Sequence, residues 1–183
     1  MEGKKVSETA VTMAQLMTPQ DTNPVGNVHG GVIMKLIDEA GGAVAFRHAR
    51  SNVVTASIDR LSFHYPVFVG DLVTLRASIN MVGRTSMDVG VKVIAENLIT
   101  GQVRHTASAY LTYVALDADL KPKPVAPIIL ESPDEERRYR QAVARKEMRD
   151  REKENEAKNR AQEVRQPWSG PLCRAEKARR PGG

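Results

Sequence analysis

The sequence predicts an α+β domain in which one long helix is wrapped by an antiparallel sheet of about five strands. Two observations predict this class. Segments that alternate apolar and polar residues dominate residues 53–116, and only one long helical pattern precedes residue 130. Alternation with a period of two is typical of half-buried antiparallel strands, and a lone amphipathic helix has to bury its apolar face against their sheet.

The first two elements are a strand and the helix. The segment ETAVTMAQLM, residues 8–17, is predicted to form a weak first strand. Across residues 32–46, Lys35 and Glu39 lie opposite a broad apolar face on a 3.6-residue wheel. The apolar face consists of Val32, Ile33, Leu36, Ile37, Ala40, Ala43 and Val44. Small residues at 40–43 are expected to let the strands approach the helix closely.

Four further strands are predicted after the helix. The segment NVVTASIDRLSFHYPV forms a strand that ends at Pro66, and tight turns at Gly70, Gly83 and Gly101 delimit the next three. Each of these three has apolar residues at every odd position, which predicts one buried face. The residues are Val73, Leu75, Ala77, Ile79 and Met81; Met87, Val89, Val91, Val93 and Ala95; and Ala107, Ala109, Leu111, Tyr113 and Ala115.

The C-terminal region has a different composition. From Glu131 onward, charges of both signs replace the apolar pattern, and Ser132, Pro133 and Glu135 supply a cap, a first-turn proline and a capping-box acid. A helix without an apolar face gains little from packing, so we expect it to fray after a few turns. The expected organisation is a domain over residues 8–130, a charged helix over 131–165 and a disordered tail over 166–183.

Composition narrows the classes of function. The net charge of +5 arises mostly from the tail, because residues 1–130 hold 12 Lys and Arg against 11 Asp and Glu, whereas residues 131–183 hold 15 against 11. Acids are interleaved with these bases, which argues against nucleic-acid binding. Cys173 has no partner for a disulfide, and no run of about 18 apolar residues could span a membrane. We therefore expect a cytoplasmic protein without a membrane span.

The turn before the helix is the first candidate for chemistry. His29, Gly30 and Gly31 directly precede the apolar helix, which exposes the unpaired N–H groups of its first turn. Such groups can hold a carbonyl oxygen that gains negative charge during a reaction. An ordinary loop-to-helix joint, in which glycine is needed for its backbone angles, is an equally good interpretation.

Asp38 is the second candidate, because it lies at the edge of the apolar face without a local partner. Its neighbours along the helix include Met34, Gly41, Gly42 and Ala45, none of which can neutralise a carboxylate. An unpaired carboxylate is costly to bury. Asp38 is therefore either a base toward a bound water or a helix-border carboxylate that is exposed or bonded to a distant strand.

The chain resembles the hotdog-fold acyl-CoA thioester hydrolases of the cytosolic long-chain group. Over about residues 8–145, four segments are similar in the expected order: DTNPVGNVHGGVIMKLIDEAG, NVVTASIDRLSFHYPVFVGD, GRTSMDVGVKV and RHTASAYLTYVALD. The resemblance implies hydrolysis of medium- to long-chain acyl-CoA to fatty acid and coenzyme A, a reaction of fatty acid metabolism. It also implies dimers whose sheets join side by side, three dimers in a hexamer, and no cofactor beyond the coenzyme A of the substrate.

The resemblance assigns a catalytic pair. In that family an asparagine upstream of the His-Gly-Gly turn and an acid on the central helix act together, one from each of two subunits. These roles fall on Asn23 and Asp38. Asp38 would activate water or attack the thioester carbon itself, and Asn23, held extended by Pro24, would orient the water or the thioester. Asn27 is a second candidate for the role of Asn23.

Two further groups are assigned to substrate binding. His29, Gly30, Gly31 and Val32 would position the thioester, and the N–H groups near Gly31 and Val32 would hold the oxyanion. For coenzyme A, the resemblance implies contacts from the turn residues Arg84, Thr85 and Ser86. A solvated arginine at a hairpin end is the alternative.

The same residues and fold allow other functions. The four histidines lack metal-ligand spacing, so we expect no metal, and His64 and His105 are expected to be structural. A non-catalytic acyl-CoA sensor could use the same fold. A hydroxyacyl dehydratase would pair a catalytic histidine with an acid, which His29 and Asp38 could imitate, but the surrounding motif is that of the hydrolases.

Overall fold

The computed structural model describes residues 1–163 of the 183-residue chain. In chain order the elements are β1 (Lys4–Lys5), α1 (Val6–Thr9), β2 (Val11–Leu16), a 3-10 turn (Pro19–Asp21), α2 (Gly30–Ala49), β3 (Val53–Phe63), β4 (Asp71–Val82), β5 (Ser86–Asn97), β6 (Val103–Ala115), β7 (Ile128–Ile129) and α3 (Pro133–Glu163).

Five of these strands form the antiparallel sheet that the sequence predicts. Its order is β2-β4-β5-β6-β3, so β2 and β3 are the two edges. All fifteen odd-numbered residues predicted to face the core on β4, β5 and β6 are buried. All of them except Met81 belong to one core cluster with the face of α2 that carries Ile33, Leu36, Ile37, Ala40 and Val44. The predicted helix wrapped by a sheet is therefore confirmed, and α2 continues beyond residue 46 to Ala49.

The N-terminal region differs from the prediction. The first strand begins at Val11 instead of residue 8, because Val6–Thr9 form one helical turn that buries Val6 and Thr9. Before it, β1 pairs with β7 in a separate parallel two-stranded sheet. Two-residue strands carry no alternation, so the sequence pattern could not reveal this pair.

A buried histidine joins this N-terminal pair to α2. His48, in the last turn of α2, is 1% exposed. Its Nε2 donates to the carbonyl oxygen of Ala126 over 2.7 Å, and Lys4 Nζ donates to the carbonyl oxygen of His48 over 2.6 Å. Burial lowers the pKa of His48 and is the largest effect on it. The hydrogen bond to Ala126 raises this pKa, and the charge of Lys4 lowers it.

The C-terminal helix spans Pro133–Glu163, within the range 131–165 that the sequence predicts for it. It starts as the sequence indicates, because Ser132 Oγ accepts from the N–H of Glu135 over 3.3 Å. Instead of fraying after a few turns, it continues for 31 residues, with ion pairs one turn apart such as Lys146 with Asp150. The chain divides into two compact units at Val143, each described by itself. The tail predicted to be disordered lies outside the described residues.

Candidate active site

The His-Gly-Gly turn forms the N-terminus of α2. The Nδ1 atom of His29 accepts from the N–H of Gly31 over 2.9 Å, so His29 caps the helix. The N–H of Val32 donates to the carbonyl oxygen of His29 over 2.9 Å. Both N–H groups assigned to an oxyanion thus have acceptors inside the chain. The N–H of Gly30 has none among the described residues.

Asn23 shapes the loop that leads to this turn. Its Oδ1 accepts from the N–H groups of Val25 and Asn27, over 2.9 and 3.3 Å. Its own N–H donates to the carbonyl oxygen of Asn27 over 2.8 Å, and Gly26 closes the loop at a φ of 91° that favours glycine. The carboxamide is therefore fixed through its oxygen, and its Nδ2 has no acceptor among the described residues.

A cavity of about 330 Å³ lies beside Asn23 and Gly30. Its other walls come from Asn27, the start of α2 and the segment after β3, and they are largely apolar: Val28, Ile33, Phe63, Pro66 and Val67, with His64 and Tyr65. The cavity therefore combines two amide side chains, an open backbone N–H and an apolar lining.

Asp38 is held by two strands at one of its carboxylate oxygens. Thr55 of β3 donates its hydroxyl to Oδ1 over 2.7 Å, and Tyr113 of β6 donates to the same oxygen over 3.1 Å. Tyr113 also donates to the carbonyl oxygen of Asp38 over 3.0 Å. The second oxygen, Oδ2, accepts no hydrogen bond from the described residues, and Asp38 is exposed in the single chain.

Gly41 makes the contact between Tyr113 and Asp38 possible. A Cβ atom at position 41 would lie 2.5 Å from the Tyr113 hydroxyl, a distance that real Cβ contacts do not reach. Burial raises the pKa of Tyr113, and the charge of Asp38 raises it further. The phenol therefore stays neutral and acts as a donor to Asp38.

The structure does not bring Asn23 and Asp38 to one cavity of a single chain. Asp38 lies eight residues beyond Gly30 on α2, which corresponds to about 12 Å along the helix axis. Asp38 faces β3 instead, an edge strand whose outer side pairs with no other strand of residues 1–163. That strand exposes large apolar side chains at Val54, Ile58 and Phe63. Natural proteins usually cover such an edge.

The residues assigned to coenzyme A form the turn between β4 and β5. The carbonyl oxygen of Thr85 accepts from Ala115 over 3.0 Å, and that of Arg84 accepts from Val125 over 3.1 Å. Ser86 opens β5 and closes the turn by accepting from the N–H of Gly83 over 2.8 Å. The Arg84 side chain is exposed and has no partner among the described residues.

The remaining histidines lie apart from Asp38. The rings of His64 and His105 are 5.1 Å apart, and His105 Nε2 is 2.8 Å from Ser108 Oγ. Within residues 1–163 the side chains form no group of three or more potential metal ligands. No helix in the same range is long and apolar enough to cross a membrane.

Sequence reasoning missed Thr55 and Tyr113 as neighbours of Asp38. Tyr113 was assigned to the core by its odd position, which is correct for its ring but says nothing of its hydroxyl. The available signal was the unpaired Asp38 itself, since a carboxylate with no local partner implies donors from distant strands. Gly41, one turn beyond Asp38, is the position where such a donor can approach.

Comparison with known proteins identifies the family to which this chain belongs. The sequence model of the thioesterase superfamily matches residues 25–101. The chain belongs to the hotdog-fold acyl-CoA thioester hydrolases of that superfamily, and it is an acyl-CoA thioesterase.

Particular relatives establish this membership. The acyl-CoA thioester hydrolase YkhA of Bacillus subtilis is 36% identical over 168 residues, which cover 91% of this chain and 98% of YkhA. The cytosolic acyl coenzyme A thioester hydrolase of Mus musculus is 38% identical over 146 residues, which cover 79% of this chain but 38% of the mouse protein.

Solved structures agree with this membership. A hexameric acyl-CoA thioesterase in its apo form superposes with a TM-score of 0.81 at 39% identity, covering 83% of this chain and 97% of that chain. The acyl-CoA hydrolase of Staphylococcus aureus, in complex with butyryl coenzyme A and coenzyme A, gives a TM-score of 0.80 at 34% identity, with 89% and 99% covered. That hydrolase has also been solved with an asparagine, an aspartate or a threonine replaced by alanine.

Proposed function

We propose that the protein hydrolyses medium- to long-chain acyl-CoA thioesters at a site shared by two subunits, with Asp38 as the general base. The observation that carries the proposal is the Asp38 carboxylate, which Thr55 and Tyr113 orient through Oδ1 while Oδ2 stays open. A carboxylate fixed at one oxygen can present the other to water in a defined direction.

The reaction follows from this arrangement. Oδ2 of Asp38 takes a proton from water as the water oxygen attacks the thioester carbonyl carbon. The carbonyl electron pair moves to its oxygen, forming a tetrahedral oxyanion. When the carbonyl re-forms, the C–S bond breaks, and the coenzyme A thiolate leaves and takes the proton from Asp38. The products are a fatty acid and coenzyme A.

Among the residues predicted to position the thioester, Gly30 is the first candidate for the oxyanion donor. The N–H groups of Gly31 and Val32 already have acceptors in the chain, whereas that of Gly30 is open and borders the cavity beside Asn23. We assign the oxyanion first to the N–H of Gly30. The N–H of Gly31 becomes a second donor if the His29 ring turns away from it.

The spacing of three residues supports Asn23, Asp38 and Thr55 as one functional set. In the S. aureus hydrolase, the substituted asparagine lies 15 residues before the substituted aspartate, and the substituted threonine lies 17 residues after it. Asn23, Asp38 and Thr55 have the same spacing in this chain. Thr55 therefore joins the pair that the sequence suggested, as the donor that orients Asp38.

A second subunit accounts for the separation of Asn23 from Asp38. An antiparallel strand added to the open edge of β3 would bring partner residues next to Thr55 and Asp38 and would cover Val54 and Ile58. A two-fold dimer formed in this way has two equivalent sites. The hexameric relatives support three such dimers in the full assembly.

The cavity beside Asn23 supports the proposed substrate class. Its apolar walls suit an acyl or pantetheine chain, and its amide and backbone N–H groups suit the thioester. The exposed Arg84, with Thr85 and Ser86, would contact the phosphate end of coenzyme A. We propose a cytoplasmic location, which the naming of the mouse relative as cytosolic supports.

The test uses two neighbouring acids of α2. We expect Asp38→Asn to lower kcat by roughly 100- to 10,000-fold, the usual contribution of a general base, with butyryl- to palmitoyl-CoA as substrates and free thiol release as the signal. Glu39→Gln is the matched control, since Glu39 is exposed and its one partner among the described residues is Lys35, and it should keep wild-type activity. Wild-type rates in Asp38→Asn would contradict the proposal.

Labelled water separates the two roles left open for Asp38. After a single turnover in oxygen-18 water, a general base leaves Asp38 unlabelled and puts the label in the fatty acid. If Asp38 attacks the thioester carbon itself, hydrolysis of the resulting anhydride can place the label in the aspartate. Label found by mass spectrometry in the peptide containing Asp38 would therefore establish attack by Asp38 itself, because a general base never acquires it.

A further inference from the structure

A polar row crosses the outer face of the sheet, on the side away from α2. Each of the five strands contributes one residue to this row, and neighbouring members are directly paired in the sheet: Thr12, Arg76, Lys92, Ser108 and Ser62. The residues on either side of them on β4 and β5 point inward and are buried against α2. None of the five row members is buried in the chain.

The centre of this row holds two cations without a counterion. Arg76 and Lys92 are directly opposed on β4 and β5, where Cβ atoms lie about 5 Å apart and like charges destabilise the pair. Neither side chain makes a hydrogen bond or an ion pair with residues 1–163. Such a pair gains stability when an anion binds between its members.

A cavity of about 580 Å³ opens over these two cations. Arg137 and Arg138 of α3 border it, and Asp134 is the one carboxylate among its described lining residues. Both oxygens of Asp134 bind these two arginines, and neither oxygen makes a hydrogen bond or an ion pair with Arg76 or Lys92. Four cations against one carboxylate make the cavity strongly positive.

The shape and donors of the cavity favour a ligand with several linked phosphates. Its volume is that of a small-molecule site rather than of a single ion. Arginine forks and hydroxyl groups donate to phosphate oxygens, and the cavity offers both, with Thr12 and Ser108 flanking the cations. We propose that this outer-face groove binds the diphosphate or triphosphate group of a small molecule. The sheet lies between the groove and α2, so the proposal does not depend on the role of Asp38.

The first test measures binding of inorganic tripolyphosphate to the full chain by calorimetry at low salt. We expect saturable binding to the wild type and at least tenfold weaker binding to the double variant R76Q/K92Q. The matched control is K121Q/K153Q, which removes the same charge from exposed positions outside the groove and should bind like the wild type. Equal binding by all three proteins, or none by the wild type, would overturn the proposal.

Thermal unfolding supplies a second readout that misfolding would not mimic. Without anion, R76Q/K92Q loses the repulsion between opposed cations and should melt at or above the wild-type temperature. Tripolyphosphate should raise the melting temperature of the wild type and of K121Q/K153Q only. If R76Q/K92Q instead melts lower or changes its oligomeric mass, the two cations are structural and the groove is not a phosphate site.

Two sources of the diphosphate are separated by competition and kinetics. Coenzyme A and ADP are titrated against bound tripolyphosphate. If the groove, in place of the turn at Arg84, takes the phosphates of coenzyme A, R76Q/K92Q raises KM for acyl-CoA at constant kcat. If it takes a free nucleotide, KM is unchanged and ADP still binds to the enzyme saturated with coenzyme A. Either result supports the site and identifies its ligand.

Discussion

Subunit complementation tests whether Asn23 and Asp38 act across an interface. Asn23→Ala and Asp38→Ala subunits are each expected to form inactive assemblies. Within one chain Asn23 lines a cavity at the start of α2, whereas Asp38 lies about 12 Å further along that helix from Gly30 and contacts Thr55. A dimer of one Asn23→Ala and one Asp38→Ala subunit would therefore contain one intact site and one doubly substituted site.

The expected magnitude follows from two-fold symmetry. When equal amounts of the two variants are refolded together, about half of the dimers are mixed, and each mixed dimer has one intact site of two. Activity should recover to about a quarter of the wild-type kcat per subunit, which free thiol release from a long-chain acyl-CoA measures. Mass measurement in solution controls for assembly.

The refuting result is equally definite. If both residues act within one subunit, every chain in the mixture lacks one of them, and no mixing ratio restores activity. A mixture as inactive as the single variants, at an unchanged oligomeric mass, would reject the shared site. The recovered activity should also depend on the mixing ratio, with its maximum at equal amounts.

Three further predictions concern residues that support the fold around the site. Gly41→Ala should displace the Tyr113 hydroxyl and lower the free energy of unfolding by about 1–3 kcal/mol, seen as a lower urea midpoint together with a lower kcat. Burial lowers the pKa of His48 below its ordinary 6.5, so the unfolded chain binds a proton at this histidine more readily than the folded chain does. The free energy of unfolding should therefore be highest above pH 6.5 and fall as the pH drops below it, and His48→Gln should reduce this pH dependence in urea titrations at pH 5 to 8. Asp71→Asn should lower the free energy of unfolding by about 3–5 kcal/mol, because it leaves the charge of Arg104 beside a neutral, fully buried side chain. An unchanged midpoint of urea unfolding would contradict this.

The strands were predictable because their pattern is local. Along β4, β5 and β6 every second side chain is apolar, and a sheet with one buried face permits no other register. The continuation of α3 beyond its first turns without fraying was not predictable from an apolar stripe, since ion pairs along the helix accompany its later turns instead of a packed face. The β1 and β7 pair was missed because two residues carry no period.

The candidate site was predictable only in part, for a related reason. Asp38 could be singled out because an acid on an apolar helix needs donors, but the donors lie 17 and 75 residues further along the chain. Their approach depends on the register of β3 against β6, which pairs Thr55 with Tyr113, and on the absence of a side chain at Gly41. Neither condition produces a periodic pattern in the sequence from which it could be predicted.

The contact at Gly41 links the stability of the fold to the orientation of Asp38. Alanine favours helices over glycine by about 1 kcal/mol, so an isolated α2 would gain from Gly41→Ala. In the folded chain the same methyl group would collide with the Tyr113 hydroxyl, which holds both the carbonyl and the carboxylate of Asp38. A residue that weakens the helix on its own is thus required where the helix meets β6, since only glycine leaves room for the Tyr113 hydroxyl to donate to the Asp38 carboxylate.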